Sequence, residues 1–353
     1  MICFAWDGFP QYAARCIRAF GDVTNERVVV VATRPTVPIK GMEMLCGCDV
    51  IWVERDDSRG IVDLIGELPR LLIVSGWYVP AFNRLREDVR NSGGCAICMC
   101  DNNFVFGLVE CVKAIRFRIL YRDKFNGFFV PGKSGVRLLR FYGVPRKKIA
   151  TGMYSADATL FRDGLPLAKR EKKMLYVGQF IERKNVLRLC EAFRMSEGCA
   201  NGWTLDLYGS GPLRNKIPTG EGIAVHDFMQ PEQLAEIYRQ SRCFALPSIR
   251  EHWGVVVHEA ALSGCVMLLS DCIGAGEDFL LKGRNGFSFR PKSVESTASA
   301  MRRVYAMTDD ELENAHGVSL DLASHSSLNH FVEACSSFNA LSKAQKMIWR
   351  AKL

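Results

Sequence analysis

Two glutamates, Glu251 and Glu259, stand eight positions apart in REHWGVVVHEAALSG, on either side of a run of valines. A carboxylate set among apolar residues is costly unless something compensates it, and the hydroxyl donors of a bound ligand would do so. The run CFALPS reads as a strand ending near Ser248, and a helix is predicted to begin near Gly254. Glu251 then falls in the loop, and Glu259 lies about five residues into the helix, roughly 7 to 8 Å along its axis. At that separation the two carboxylates reach different parts of one elongated ligand. The first N–H groups of the helix, at Gly254, Val255 and Val256, have no intrahelical acceptor and suit a phosphate or a sugar hydroxyl.

A second constellation is MLYVGQFIERKNVLRLCEAF. After the strand, Gly178 lets the chain turn tightly, and Arg183 and Lys184 follow just before a helix. Two cations beside a helix N-terminus make a pyrophosphate site; the plainer alternative is a pair of solvated helix-entry charges. No D-x-D motif occurs, so no metal is expected if this pair carries the phosphate charge. His252 and His258 are spaced H-W-G-V-V-V-H and not H-E-x-x-H, which speaks against zinc. His226 reads as a packing or cap residue. A strand would point Cys95 to one face and Cys98 and Cys100 to the other, with no nearby histidine, and the three read as reduced core thiols.

The elements that position these residues form two consecutive βα series. The first half alternates the apolar runs MICFAW, RVVVVAT, CDVIWV, RLLIVSGW, CAICMCD, GFFVPG and KKIATG with helix-compatible segments. Continuous apolar runs are how strands buried on both faces of a parallel sheet read. Arg162 to Lys173, with two prolines and a cluster of charges, reads as a linker. The pattern then restarts with MLYVGQF, TLDLYGSG, IAVHDFM, CFALPS and CVMLLSD; beyond Gly286 it reads as helices. The expected fold is α/β, two doubly wound Rossmann-like domains facing across a cleft, with ligands at the carboxyl ends of the strands. The expected boundaries are 1–165, 166–325 and a helical segment 326–353 that crosses back to the first domain.

The ordered motifs YVGQFIERKN, LYGSGP, LPSIREHWGVVVHEAALSG, SDCIGAGE and GRNGFSF resemble the retaining glycosyltransferases of family 4, which have the GT-B fold. The likeness runs from Met174 to Phe289 and more loosely through FNGFFVPGKSGVRLLRFYGVPRKKIATGMYSADATLF. It implies that Arg183 and Lys184 neutralise the donor diphosphate as it leaves. It further implies that Glu251 holds hydroxyls of the donor sugar beside the N–H groups of Gly254 to Val256, and that Glu259 binds the ribose. Gly209 and Gly211 match glycines that let the chain pass close to the nucleotide, and Phe228 and Met229 match a loop near the base. In AWDGFPQYAARCI, Gly8 resembles a position of close backbone approach to phosphate, although the double glycine common there is missing. Asp101 stands where the family carries a His or Asp facing the reacting centre; an Asx-type cap is the other reading. Trp77 and Tyr78 are either an acceptor-stacking pair or core aromatics.

At 353 residues, with 48% apolar and 24% charged residues, the chain is a folded two-domain composition. No apolar run approaches the roughly 20 residues of a membrane span. The start MICFAWDG has no basic n-region or cleavage signature, so a cytoplasmic location is expected. The net charge of +8 suits anionic partners, but no nucleic-acid motif is present. In the tail MIWRAKL, with Lys343, Lys346, Arg350 and Lys352 on or near it, two readings stay open: a solvated helix end, or contact with the cytoplasmic face of an anionic membrane. The resemblance implies a hexosyltransferase-class enzyme without cofactor. It would move a sugar from a nucleotide diphosphate sugar, UDP before GDP, to a saccharide or lipid-linked acceptor in cell-surface polysaccharide or glycolipid synthesis. The alternatives are a nucleotide-sugar 2-epimerase and a non-catalytic paralogue that binds nucleotide sugar.

Overall fold

The computed structural model describes residues 1–35, 41–57, 60–162 and 164–350, with 346–350 as backbone alone. The chain divides into two units, the first made of Met1–Ser155 with Leu328–Leu353 and the second of Ala156–Ser327.

The first unit holds seven strands: β1 (Ile2–Trp6), β2 (Val28–Ala32), β3 (Asp49–Trp52), β4 (Leu71–Ser75), β5 (Cys95–Met99), β6 (Gly127–Phe129) and β7 (Ile149–Ala150). They pair in parallel in the order β3-β2-β1-β4-β5-β6-β7. β1, β2 and β5 are buried at every position, as their unbroken apolar runs require. The long helix Leu328–Arg350 completes this unit, and Phe331 packs against both Phe4 and Phe129.

The second unit holds β8 (Glu171–Val177), β9 (Thr204–Tyr208), β10 (Ile223–His226), β11 (Ser241–Leu246), β12 (Val266–Ser270) and β13 (Gly286–Phe289), all parallel, in the order β10-β9-β8-β11-β12-β13. Both orders reverse direction beside their first strand, between β1 and β4 and between β8 and β11. Such a switch point opens a crevice at the carboxyl ends of the strands, where ligands bind in open α/β sheets.

Three expectations need correction. β13 is a strand, although the chain from Gly286 onward reads as helix; it is short and pairs only with β12 at the sheet edge. Gly286 is needed there because a Cβ would lie 1.9 Å from Met267 O. The segment Arg162–Lys173 is not simply a linker, because β8 already begins at Glu171 with its charges exposed beyond the core. Within it the buried Arg170 donates to the carbonyls of Leu165 (2.6 Å) and Ser241 (3.2 Å). The division between units also falls earlier than the 165/166 boundary: Phe161 packs edge-on against Tyr238 of the second unit, 5.5 Å between ring centres.

Candidate functional site

At the switch point of the second sheet the chain leaving β8 makes one 3-10 turn, Glu182–Lys184, before the helix Val186–Met195. Asn185 joins them in the left-handed conformation (φ 61°), which asparagine tolerates better than most residues. Its buried amide donates to the carbonyls of Pro247 (3.1 Å) and Pro291 (2.7 Å). The Ile249 N–H also donates to Arg183 O at 2.9 Å. The turn carrying the two cations is thereby fastened to the loop after β11, which carries Glu251.

That fastening brings together residues that lie far apart in sequence. Lys184 Nζ is 2.5 Å from Glu251 Oε2, Arg183 Nη1 is 3.4 Å from Oε1, and Ser248 Oγ donates to Oε2 at 3.0 Å. Lys184 and Glu251 are each 8% exposed, whereas the Arg183 side chain is about half open to solvent. Burial alone pushes the Glu251 carboxyl up, but the charges of Lys184 and Arg183 and the hydrogen bonds from Lys184 and Ser248 outweigh it and hold the carboxyl below the usual range. The cations are therefore not bare phosphate ligands. They share a carboxylate that any incoming anion would have to displace or accommodate. Ser248 and Asn185 were not singled out from sequence; the αL-tolerant asparagine after E-R-K was the available signal.

The loop runs on through Gly254 (φ 94°) into the helix Val255–Leu262, whose start agrees with the expected one. Gly254, just before Val255 and Val256, lies beside the cluster, since a Cβ on it would sit 3.3 Å from Glu251 Cγ. Glu259, one turn further on, has a different environment. The Tyr238 hydroxyl donates to its Oε2 at 3.0 Å. Burial raises its pKa to about 7, and the Tyr238 hydrogen bond opposes that only in part. A carboxyl in this state is poised to gain from a hydroxyl-rich ligand.

Gly178, Gly209 and Gly211 lie in the loops after β8 and β9. A Cβ on Gly209 would fall 1.9 Å from Gly178 O, and one on Gly211 2.6 Å from Phe180 O. The close approach that demands these glycines is made to the chain itself. Phe228 and Met229, half-buried, follow β10 before the helix Pro231–Gln240. His226 stacks on Tyr208, ring centres 4.3 Å apart. His258 is structural: its Nδ1 accepts the Ala156 N–H (3.0 Å), which leaves Nε2 to donate to Ala323 O (3.2 Å), and burial lowers its pKa to about 4.

Asp101 and Gly8 belong to the first unit, at the switch point of its own sheet. A hollow there is lined by residues following β1, β4 and β5, among them Asp7, Trp77, Tyr78 and Asp101, with Tyr154 beside them. The Tyr154 hydroxyl donates to Asp101 Oδ2 at 3.3 Å. Asp7, which sequence reading passed over, accepts from the Thr33 hydroxyl (2.7 Å) and from both Nε (2.9 Å) and Nη2 (2.7 Å) of Arg55. The Gly8 N–H is donated to Thr33 Oγ1 at 2.7 Å. Trp77 lines the hollow on one side and packs on Phe117 (5.1 Å) and Tyr121 (5.5 Å) on the other, while Tyr78 is mostly exposed.

Of the basic residues in and before the tail, Lys343 pairs with Glu26 at 3.0 Å in the first unit. The side chains of Lys346, Arg350 and Lys352 lie outside the described residues. Among the described residues no helix is long and apolar enough to cross a membrane.

Comparison with known proteins agrees with this fold. Residues 157–316 match the family described as glycosyl transferases group 1. A glycogen synthase of Mycobacterium tuberculosis is 26% identical over 168 residues, which are 42% of this chain and 40% of that protein. A D-inositol 3-phosphate glycosyltransferase of Rhodococcus opacus is 25% identical over 195 residues, 47% of this chain and 42% of that one. The chain thus spans less than half the length of the curated relatives it matches. Among solved structures, Anabaena HepE in complex with UDP superposes with a TM-score of 0.73 at 12% identity, covering 96% of this chain and all of that one. A sucrose-phosphate synthase from Thermosynechococcus elongatus gives 0.73 at 14% identity, covering 98% of this chain and all of that one. At such identities these likenesses establish the fold, which is GT-B.

Proposed function

On the footing that residues 157–316 form a glycosyl transferases group 1 domain, we propose that the chain moves a sugar from a nucleotide diphosphate sugar to a saccharide or lipid-linked acceptor. The observation that carries the reading is the Arg183–Lys184–Glu251 cluster at the switch point of the second sheet. As the glycosidic bond to the diphosphate breaks, negative charge gathers on the leaving phosphate. Arg183 and Lys184 stabilise it from fixed positions, which is how enzymes lower such barriers without a nucleophile of their own. The Glu251 carboxylate, released from its cations by the diphosphate, turns to the hydroxyls of the donor sugar. Glu259, whose carboxyl sits at a pKa of about 7, takes the ribose hydroxyls.

Because two cations supply the charge that a divalent ion supplies elsewhere, transfer proceeds without metal. UDP is the preferred nucleotide, a reading supported by the UDP bound in the HepE structure. Retention at the anomeric carbon follows the family resemblance. The acceptor sugar takes the hollow of the first unit, where aromatic faces and carboxylates suit a carbohydrate, with Asp101 nearest to activating its hydroxyl. Synthesis of a cell-surface polysaccharide or glycolipid in the cytoplasm is the role that fits a donor of this class.

The test is thermal stability with UDP, GDP, ADP and CMP in the presence of a chelator, for the native chain and Lys184→Ala. A ligand at 100 times its Kd should stabilise the fold by about 2.7 kcal/mol. One diphosphate raising the Tm, and losing that effect in Lys184→Ala, supports the donor site. A folded protein that no diphosphate stabilises overturns it, and donor isomerised without acceptor would make the protein an epimerase.

A further inference from the structure

The helix Leu108–Leu120 in the first unit is built inside out. Only Glu110, Ala114 and Phe117 are buried, a narrow stripe on its inner side. Leu108, Val112, Ile115 and Ile119, spaced to share one face, point outward, with Leu108 88% and Ile119 75% exposed. The loop before the helix continues the surface with Phe106, 74% exposed, whose ring leans on Phe141 (6.1 Å between centres). A soluble chain rarely leaves so continuous an apolar face open to water.

The exposed charges of the helix itself are of one sign. Arg116 and Lys113 are exposed on one flank and Arg118 on the other. Arg118 is held in place by donating to the carbonyls of Phe141 (2.7 Å) and Tyr142 (3.2 Å). Nearby, Arg140 is exposed and Arg137 lies over the Phe104 ring at 5.5 Å. The one acid of the helix, Glu110, is buried, where it accepts from Tyr142 and Lys113. An outward apolar stripe between basic flanks is the pattern of a helix lying in a membrane interface, its stripe among acyl chains and its cations at headgroup phosphates. A second copy of the chain suits the surface less well, because a two-fold contact would set these cations against their own counterparts.

We infer that the helix Leu108–Leu120 with Phe106 docks the first unit onto an anionic lipid surface without crossing it. This surface is separate from the tail and stands whether or not the chain transfers sugar. The test is co-flotation of the full chain with phosphatidylcholine vesicles, with and without one-quarter phosphatidylglycerol, at 0.1 and 0.5 M salt. Binding is expected to the anionic vesicles, weakened by salt, and lowered about tenfold or more in Val112→Ser/Ile119→Ser. Both substituted side chains are exposed, so an unchanged Tm shows that the variant is folded. Native protein that floats with neither vesicle, or a double variant that floats as well as native, overturns the inference. So does sedimentation showing a native dimer that the double variant breaks, which would give the face to a second copy.

Discussion

Lys184 Nζ lies 2.5 Å from Glu251 Oε2, with both residues buried and 67 positions apart in sequence. The pair bonds the chain after β8 to the chain after β11, and it leaves the Arg183–Lys184–Glu251 cluster with one cation in excess of its carboxylate. Removing Glu251 leaves Lys184 charged without this counterion inside the protein, and removing Lys184 leaves Glu251 only the longer pairing with Arg183 at 3.4 Å.

Lys184→Ala should therefore destabilise the fold by about 3–5 kcal/mol, while Lys184→Ala combined with Glu251→Gln should lose clearly less than the sum of the single variants. Urea unfolding of the four proteins measures this. Strict additivity would mean that the pair carries no coupling.

Glu251→Gln should separate binding from turnover. With the competing carboxylate gone, the cations are free for a diphosphate, so UDP alone should bind at least as tightly as to native protein. Transfer should fall about tenfold or more, since the sugar hydroxyls lose a charged acceptor. Calorimetry with UDP and a transfer assay read the two effects; weaker UDP binding would contradict the counterion role.

Two neighbouring groups pull the pH dependence in opposite directions. Glu259 has its folded pKa raised from 4.5 to about 7, so the native state holds the proton more tightly and stability is lost as pH climbs through that window. His258 has its folded pKa lowered from 6.5 to about 4, so stability is gained as pH rises between those values. Their contributions nearly cancel between about pH 4.5 and 6.5. Glu259→Gln should unmask a steeper rise in Tm with pH across that range. Ribose hydroxyls that favour the ionised carboxyl should also make nucleotide affinity increase toward pH 7, a slope absent in Glu259→Gln.

Glycine substitutions should divide by what a Cβ meets. Gly209→Ala places a carbon 1.9 Å from Gly178 O and should cost about 3 kcal/mol or more. Gly317→Ala, in the helix Asp309–Ser324 with nothing within 4 Å, should stabilise by about 0.5–1 kcal/mol. Thermal or urea unfolding checks both signs.

Asp101→Asn keeps an acceptor for the Tyr154 hydroxyl, so the fold and the UDP-induced rise in Tm should be unchanged while transfer falls about a hundredfold, the scale of losing a general base. Loss of UDP stabilisation in this variant would argue against an acceptor-side role.

Much of this architecture could be read along the chain, because the strands of a parallel sheet announce themselves as unbroken apolar runs; VVVVA at β2 is buried throughout. The helix start at Val255 was legible for a local reason as well, a glycine with positive φ before a valine run. What escaped depends on pairings across the sheet. Nothing near Glu251 announces Lys184, and nothing near Asp7 announces Thr33 or Arg55. β13 was missed because four residues at a sheet edge carry too short a pattern. The helix Leu108–Leu120 escaped notice because its apolar residues face water, which periodicity cannot distinguish from facing a core.

The first unit is written in two instalments, Met1–Ser155 and Leu328–Leu353, with the whole second unit between them. On a ribosome the earlier instalment emerges long before the later one. During that interval Phe4 and Phe129 lack the ring of Phe331, and Arg70 and Glu26 lack the side chain of Asn339. The second unit is contiguous and can close as soon as it is made. The half translated first is thus the half finished last, and a chain that stops at residue 327 would hold the complete Arg183–Lys184–Glu251 cluster and a first sheet still missing its closing helix.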